Sequence, residues 1–305
     1  MSIPLDEQGM LGRECPNEEC LGYFKIEPGT GLQVEDLLCH CPYCGHAAYS
    51  DHFFTKEQIE YAQSIALREF TKDLNAVFKS LERRPRRGDW FSIGIEVDSR
   101  PYPIAHYAEK TLETVLVCDS CTLRYAIYGV FGYCPDCGVH NSLQILRTNL
   151  LVSTKMVELT SQLDATLQRA MLENALQAVV AAFDAFGRQL CQRYASRARN
   201  PTAAAAISFQ SLSRAAESVE EQFGFDLAHS LRQDDWQHML KLVQKRHLLA
   251  HRAGVVDAQY LAITRDPEAE LGRKISLGAS EIIRLVTCCE VAATAFHSEI
   301  TRPAS

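Results

Sequence analysis

Cys118-Asp119-Ser120-Cys121 and, a dozen residues further on, Cys134-Pro135-Asp136-Cys137-Gly138 decide how this chain is read. Each run is a Cys-x-x-Cys hook that sets two thiolates on a tight turn. The insert between them is the length of a β-hairpin. Four sulfurs delivered this way complete a tetrahedral shell around Zn²⁺, and a shell with four protein ligands is closed and structural.

Upstream, Cys41-Pro42-Tyr43-Cys44-Gly45 repeats the pattern of the last hook almost residue for residue. Proline stiffens the turn. Glycine after the second cysteine accepts the positive φ that turns backbone N–H groups toward sulfur. Its partner hook is wider, Cys15 and Cys20, giving a second set of Cys15, Cys20, Cys41 and Cys44. Cys39, His40 and His46 stand close enough in sequence to substitute as ligands. Two zinc-ribbon-like modules are thus expected, each with one structural Zn²⁺, stapling segments too small to fold on apolar burial alone. A redox role fits less well, because four thiols are available per site and no βαβ unit surrounds them.

At 305 residues the chain has room for about two domains, and with 47% hydrophobic residues it can build a full core. The expected organisation is α+β and multidomain. Residues 1–53 form the first module, with apolar Leu21, Tyr23 and Ile26 suited to a small ribbon. A long connecting helix occupies residues 54–88. Thr55 and Gln58 make a capping box, and Ile59, Ala62, Ala66, Phe70, Leu74, Phe78 and Leu81 recur at helical spacing up to a stop at Pro85 and Gly88. Residues 89–149 form the second module, with alternation at Phe91, Ile93, Ile95 and Val97, at Val115 and Val117, and at Tyr125 and Ile127. Residues 150–305 are Ala- and Leu-rich and read as an all-α domain. Its helices are expected over about Thr154–Arg197, Ala203–Phe223, Asp234–Arg252 and Ala279–Ile300, with breaks at Pro201, Gly224 and Gly254. Cys191, Cys288 and Cys289 fall on these helices as core residues.

No stretch approaches the roughly 18 apolar residues that span a membrane. The acidic start, Met1 to Arg13, lacks a basic-then-apolar leader, so a cytoplasmic protein with no membrane partner is expected. The net charge of −7 argues against a protein that coats nucleic acid, though not against a local basic site. Basic groups cluster at Arg83, Arg84, Arg86 and Arg87, at Arg193, Arg197 and Arg199, and at Lys245, Arg246 and Arg252.

The last cluster lies in Lys245-Arg246-His247-Leu248-Leu249-Ala250-His251-Arg252-Ala253-Gly254, at the end of a helix whose apolar stripe is Trp236, Met239, Leu240 and Val243. Basic residues at a helix C-terminus complement its dipole in any case. However, Arg246-His247 followed by His251 resembles the Arg-x(4–6)-His motif of HEPN domains, in which a polar residue follows the arginine. Phe223-Gly224-Phe225-Asp226-Leu227 upstream and Gly254-Val255-Val256-Asp257 downstream are similar too. The resemblance covers about residues 150–300 and leaves the zinc modules outside it.

That resemblance implies a metal-independent endoribonuclease with Arg246, His251 and His247 at its centre. Families of this type often act as toxins or antiphage effectors. Imidazoles suit the two proton transfers of 2′-OH attack, and arginine grips the phosphate. Residues five apart on one helix point about 140° away from each other, so one helix does not converge Arg246 and His251 on one phosphate. Active members of the family resolve this by dimerising, so the resemblance implies a homodimer with a composite cleft, with RNA as the partner and the zinc modules sensing a regulatory protein or recognising substrate. The alternative is a non-catalytic protein whose zinc modules bind nucleic acid or a partner and whose helical domain dimerises.

Overall fold

The computed structural model describes residues 3–34, 37–81, 110, 112 and 114–302, with side chains of the first long helix to residue 73. Residues 82–109 lie outside this set. They carry the expected strand at Phe91, Ile93, Ile95 and Val97, the helix stop at Pro85 and Gly88, and the Arg83–Arg87 cluster. The chain divides into two compact units, Met1–His140 and Asn141–Ser305. The fold is mixed, with small antiparallel sheets confined to the first unit and helices dominating the second.

In the first unit, β1 (Leu11–Glu14), β2 (Tyr23–Ile26), β6 (Arg124–Ile127) and β5 (Thr114–Val117) form one antiparallel sheet in the order β1-β2-β6-β5. β3 (Leu38–His40) and β4 (Ala47–Tyr49) pair separately. The turn of each of these three hairpins is a cysteine hook. The fourth hook is flanked by the Tyr133–His140 bridge. Lys25 opposite Ala126 and Ile26 opposite Tyr125 seam the two cysteine modules into one sheet. The apolar core beneath is small: Phe24, Phe53, Leu123, Tyr125 and Ile127 among the buried cysteines. Helix α1 (Lys56–Leu81) starts at the expected capping box. Thr55 donates its amide to Gln58 Oε1 at 3.1 Å, and Gln58 donates its amide to Thr55 Oγ1 at 3.2 Å. Gln58 Nε2 then donates to the Gly12 carbonyl, tying the helix to β1.

The second unit carries α2 (Ser142–Leu159), α3 (Ala165–Arg193), α4 (Pro201–Ala205), α5 (Leu212–Phe223), α6 (Gln233–Arg252), α7 (Ala258–Thr264) and α8 (Ala279–Thr301). α2, α3, α6 and α8 supply most of the core, in which Phe183 and Phe209 meet edge to face at 5.8 Å. Two expected helices are each split. The run from Thr154 to Arg197 breaks at Leu163, because Asp164 leaves helical φ/ψ to accept the amides of Thr166 and Leu167. The run from Ala203 to Phe223 breaks after Ala205. Buried Asp184 accepts the Phe209 amide at 2.8 Å and so holds this loop against α3, with the Phe209 ring seated on Gly187. Burying a phenylalanine is worth about 1.5–3 kcal/mol, more than one turn of helix continuation. Pro201 opens a helix instead of ending one, with Asn200 accepting the Ala203 amide. Short α7 follows the Asp257 cap, which accepts the Tyr260 amide.

Candidate functional site

All four hooks share one backbone geometry. The amide of the first cysteine donates to the carbonyl two residues past the second: Cys15 to Gly22, Cys41 to His46, Cys118 to Leu123, Cys134 to Val139. The residue just after the second cysteine has positive φ in every case: Leu21 at 45°, Gly45 at 75°, Thr122 at 64° and Gly138 at 67°. The wide Cys15–Cys20 hook is therefore the same device with a longer approach.

This geometry brings Cys15, Cys20, Cys41 and Cys44 together, and likewise Cys118, Cys121, Cys134 and Cys137, with the ligand atoms of each set within 4.8 Å of one another. The Cys15–Cys44 and Cys20–Cys41 sulfurs are both 3.7 Å apart; Cys118–Cys137 is 3.6 Å and Cys121–Cys134 is 3.4 Å. All eight are free thiols. Backbone amides face them: Asn17, Tyr43, Cys44 and His46 at the first set, Leu123, Asp136, Cys137 and Val139 at the second. Crowding pushes the thiols apart in acidity. Cys137 is drawn down to about 5, chiefly by its hydrogen bond with Cys134, and Cys134 is pushed up by that same bond and then by burial. Burial raises Cys121 to about 12 and Cys15 to about 11. Four sulfurs that resist ionising together, with amides aimed at them, form a site that a cation completes. The described residues thus contain two structural metal sites.

Cys39, His40 and His46 are left out of both. Cys39 is buried in β3 with its thiol pushed up to about 12 by burial. The His40 ring lies against Gly138, its Nδ1 3.4 Å from the Pro135 carbonyl. His46 is exposed and gives the first set its amide.

The helix-end residues are arranged differently. α6 runs unbroken through Arg252, then turns left-handed at Ala253 and Gly254. His247 and His251, one helical turn apart and both exposed, have ring centroids 4.6 Å apart. Arg246 is half-buried, and its Nε is enclosed without a hydrogen-bond partner. The helix therefore brings the two imidazoles together. Arg252 lies 3.8 Å from Asp257.

Lys245 is not part of a basic surface. It is buried and donates to both Glu281 carboxylate oxygens, at 2.8 and 3.1 Å, and to the Ser276 carbonyl. Lys241 bridges Glu281 to Asp266, which accepts from the Tyr260 hydroxyl at 2.7 Å. Spacing held a signal for this network: Met239, Leu242, Lys245 and Leu248 are all buried at three-residue steps. Arg197 is also committed, donating to the carbonyls of Ile300 and Arg302.

No helix of the described residues is long and apolar enough to cross a membrane. No family model, no curated protein and no solved structure matches the chain.

Proposed function

We propose that this protein is a zinc-stapled endoribonuclease of HEPN type. In this reading its second unit cleaves RNA without a metal in the active site, and its first unit holds two structural Zn²⁺ ions that fix a recognition surface. The observation carrying the nuclease reading is the exposed pair His247 and His251, 4.6 Å apart at the end of α6. Two adjacent imidazoles can divide the work, one accepting the 2′-OH proton and the other protonating the departing 5′-oxygen. Arg246 supplies the charge for the phosphorane. Because it leaves the helix on another side, a second copy brings its own Arg246 to the cleft, which makes the active form a homodimer. Toxin or antiphage action, with the first unit sensing a regulatory protein, follows from the family resemblance alone.

Zinc as the metal rests on the donor set. Four thiolates are soft ligands suited to Zn²⁺, and Zn–S bonds of about 2.3 Å give a tetrahedral edge of about 3.8 Å. The Cys15–Cys44, Cys20–Cys41, Cys118–Cys137 and Cys121–Cys134 separations of 3.4–3.7 Å lie close to that edge. When bound, the metal would supply neutralisation of the thiolates and a fixed crossing of the two hairpins in each module.

The enclosed Arg246 Nε favours a second reading, a cytoplasmic protein that binds RNA or a partner without cutting. RNA cleavage in EDTA by the wild type, Arg246→Ala, His247→Ala and His251→Ala separates the two. Cleavage lost in Arg246→Ala and His251→Ala, with the dimer and helical content retained, supports the enzyme. RNA bound but never cut supports the binder. Cleavage indifferent to all three changes removes α6 from the function.

A further inference from the structure

We propose that His247 and His251 form a bidentate site for a divalent transition-metal ion of the Ni²⁺ and Cu²⁺ class, separate from the two cysteine clusters. Histidines four apart on a helix stand one above the other on one face, the spacing by which helices present paired imidazoles to metals. Metal–nitrogen bonds of about 2.0–2.1 Å put two imidazole centroids roughly 4.5 Å apart at a 90° angle, and roughly 5.2 Å apart at the tetrahedral angle. The observed 4.6 Å matches the right-angled arrangement. Right angles belong to tetragonal and octahedral ions, Cu²⁺ and Ni²⁺, and imidazole is a ligand both accept.

The surroundings agree. Both rings are exposed, and among the described residues neither makes a hydrogen bond or ion pair. Three other histidines are already engaged: His238 Nε2 meets the Glu281 carbonyl at 2.9 Å, His229 pairs with Asp226, and His140 is packed between Phe131 and Tyr133. The pair also sits in the last two turns of a twenty-residue helix. There the unsatisfied carbonyls carry partial negative charge that favours a cation. Arg252, next to His251 in the chain, lies 3.8 Å from Asp257.

A bound metal occupies the ring nitrogens and takes them out of proton transfer. The corollary, inhibition of RNA cleavage by micromolar Ni²⁺, rests on the nuclease reading; the binding itself does not.

The test is calorimetric titration of NiCl₂ into the full-length, zinc-loaded protein at pH 7.5, with released zinc monitored by a chromophoric chelator and ring-proton broadening followed by NMR. One equivalent is expected to bind without zinc release, broadening two histidines. His247→Ala and His251→Ala should each weaken binding by at least roughly tenfold, since losing a ligand costs no less than losing its support. His229→Ala, at another exposed histidine, should leave binding unchanged. Alanine is the best helix former, so circular dichroism should confirm intact variants. Nickel uptake that ignores both substitutions, or that tracks zinc release, overturns the site. Nickel binding that needs both histidines in a protein that never cuts RNA keeps the metal site and discards the nuclease.

Discussion

The amide of His40 donates to the carbonyl of Pro135 at 2.7 Å, so a residue just before one cysteine hook is bonded to the turn of another. The relationship is returned. Tyr133, just before Cys134, donates to the carbonyl of Pro42 at 2.9 Å. The rings follow suit: a Cβ on Gly138 would stand 3.0 Å from the His40 ring, and one on Gly45 would stand 2.9 Å from the Tyr133 ring. Exchanging the hook at Cys41 with the hook at Cys134 maps each contact onto the other, and the strand order β1-β2-β6-β5 has the same symmetry. The first unit is a two-fold arrangement of two metal modules within one chain, and each module supplies part of the other's frame.

Coupled metal loss follows from this. Cys134→Ser removes one ligand from the second cluster and loosens the turn that receives His40. The expected outcome is metal content falling from two per chain to below one, with faster release from the intact Cys15, Cys20, Cys41 and Cys44 set under chelator challenge. Elemental analysis and stopped-flow release would check it. One equivalent retained at the wild-type release rate would contradict the coupling.

The left-handed position after each hook gives a second prediction with opposite signs at equivalent places. Leu21 and Thr122 adopt φ of 45° and 64°, which costs a non-glycine residue roughly 1–2 kcal/mol. Leu21→Gly and Thr122→Gly should each stabilise the metal-loaded unit, by about 0.5–1 kcal/mol after the added unfolded-state entropy. Gly45→Ala and Gly138→Ala should each destabilise it by about 1–3 kcal/mol, through strained φ and the ring contacts. Denaturant midpoints of the four variants provide the measurement.

What the sequence disclosed divides by the range of the interaction. The hooks, the Thr55–Gln58 box and the limits of α6 and α8 are written in residues a few positions apart, and all were legible. Their consequences at long range were not. Nothing near Lys25 signals that it pairs with Ala126 of the other module, and nothing near Cys15 shows that its wide hook copies the narrow ones. The two helix breaks depend on Asp164 and Asp184. Asp164 could have been recognised as a cap; Asp184 accepts from a residue 25 positions away. Lys245 looked like part of a basic patch because its partner, Glu281, lies on another helix.

The close seat of Phe209 on α3 predicts an unusual penalty. Alanine normally favours a helix over glycine by about 1 kcal/mol. At position 187 the added Cβ would meet the ring of buried Phe209 at 2.5 Å. Gly187→Ala should therefore destabilise the second unit by about 2–3 kcal/mol, and Gly187→Ala with Phe209→Leu should recover part of that loss. Thermal unfolding of the three proteins checks it, and a Gly187→Ala variant more stable than wild type would refute the packing.

The Lys245 network sets the acid stability of the second unit. Burial alone would raise the Glu281 pKa, but the hydrogen bond from Lys245, the Gly278 amide and the charge of Lys241 outweigh it and hold the carboxyl below its ordinary value. Asp266 behaves alike: burial opposes, and the Tyr260 hydroxyl and Lys241 prevail. A carboxylate whose pKa is lower folded than unfolded adds stability that is complete above its unfolded value, about 4.3 for Glu and 3.9 for Asp. That stability drains away as pH falls through the folded value. The unit's melting temperature should hold from pH 7 to about 5 and then fall steeply. Lys245→Met removes the main partner of Glu281 while filling the same space. It should cost about 2 kcal/mol at pH 7, less than the 3–5 kcal/mol of a fully buried broken pair, because Lys241 remains 3.7 Å from Glu281. The variant should also lose less on acidification than the wild type, since the carboxylate it has orphaned gains from protonation. Melting curves of both proteins from pH 7 to 3 decide the matter. Parallel acid limbs would place the acid sensitivity elsewhere than at Lys245 and Glu281.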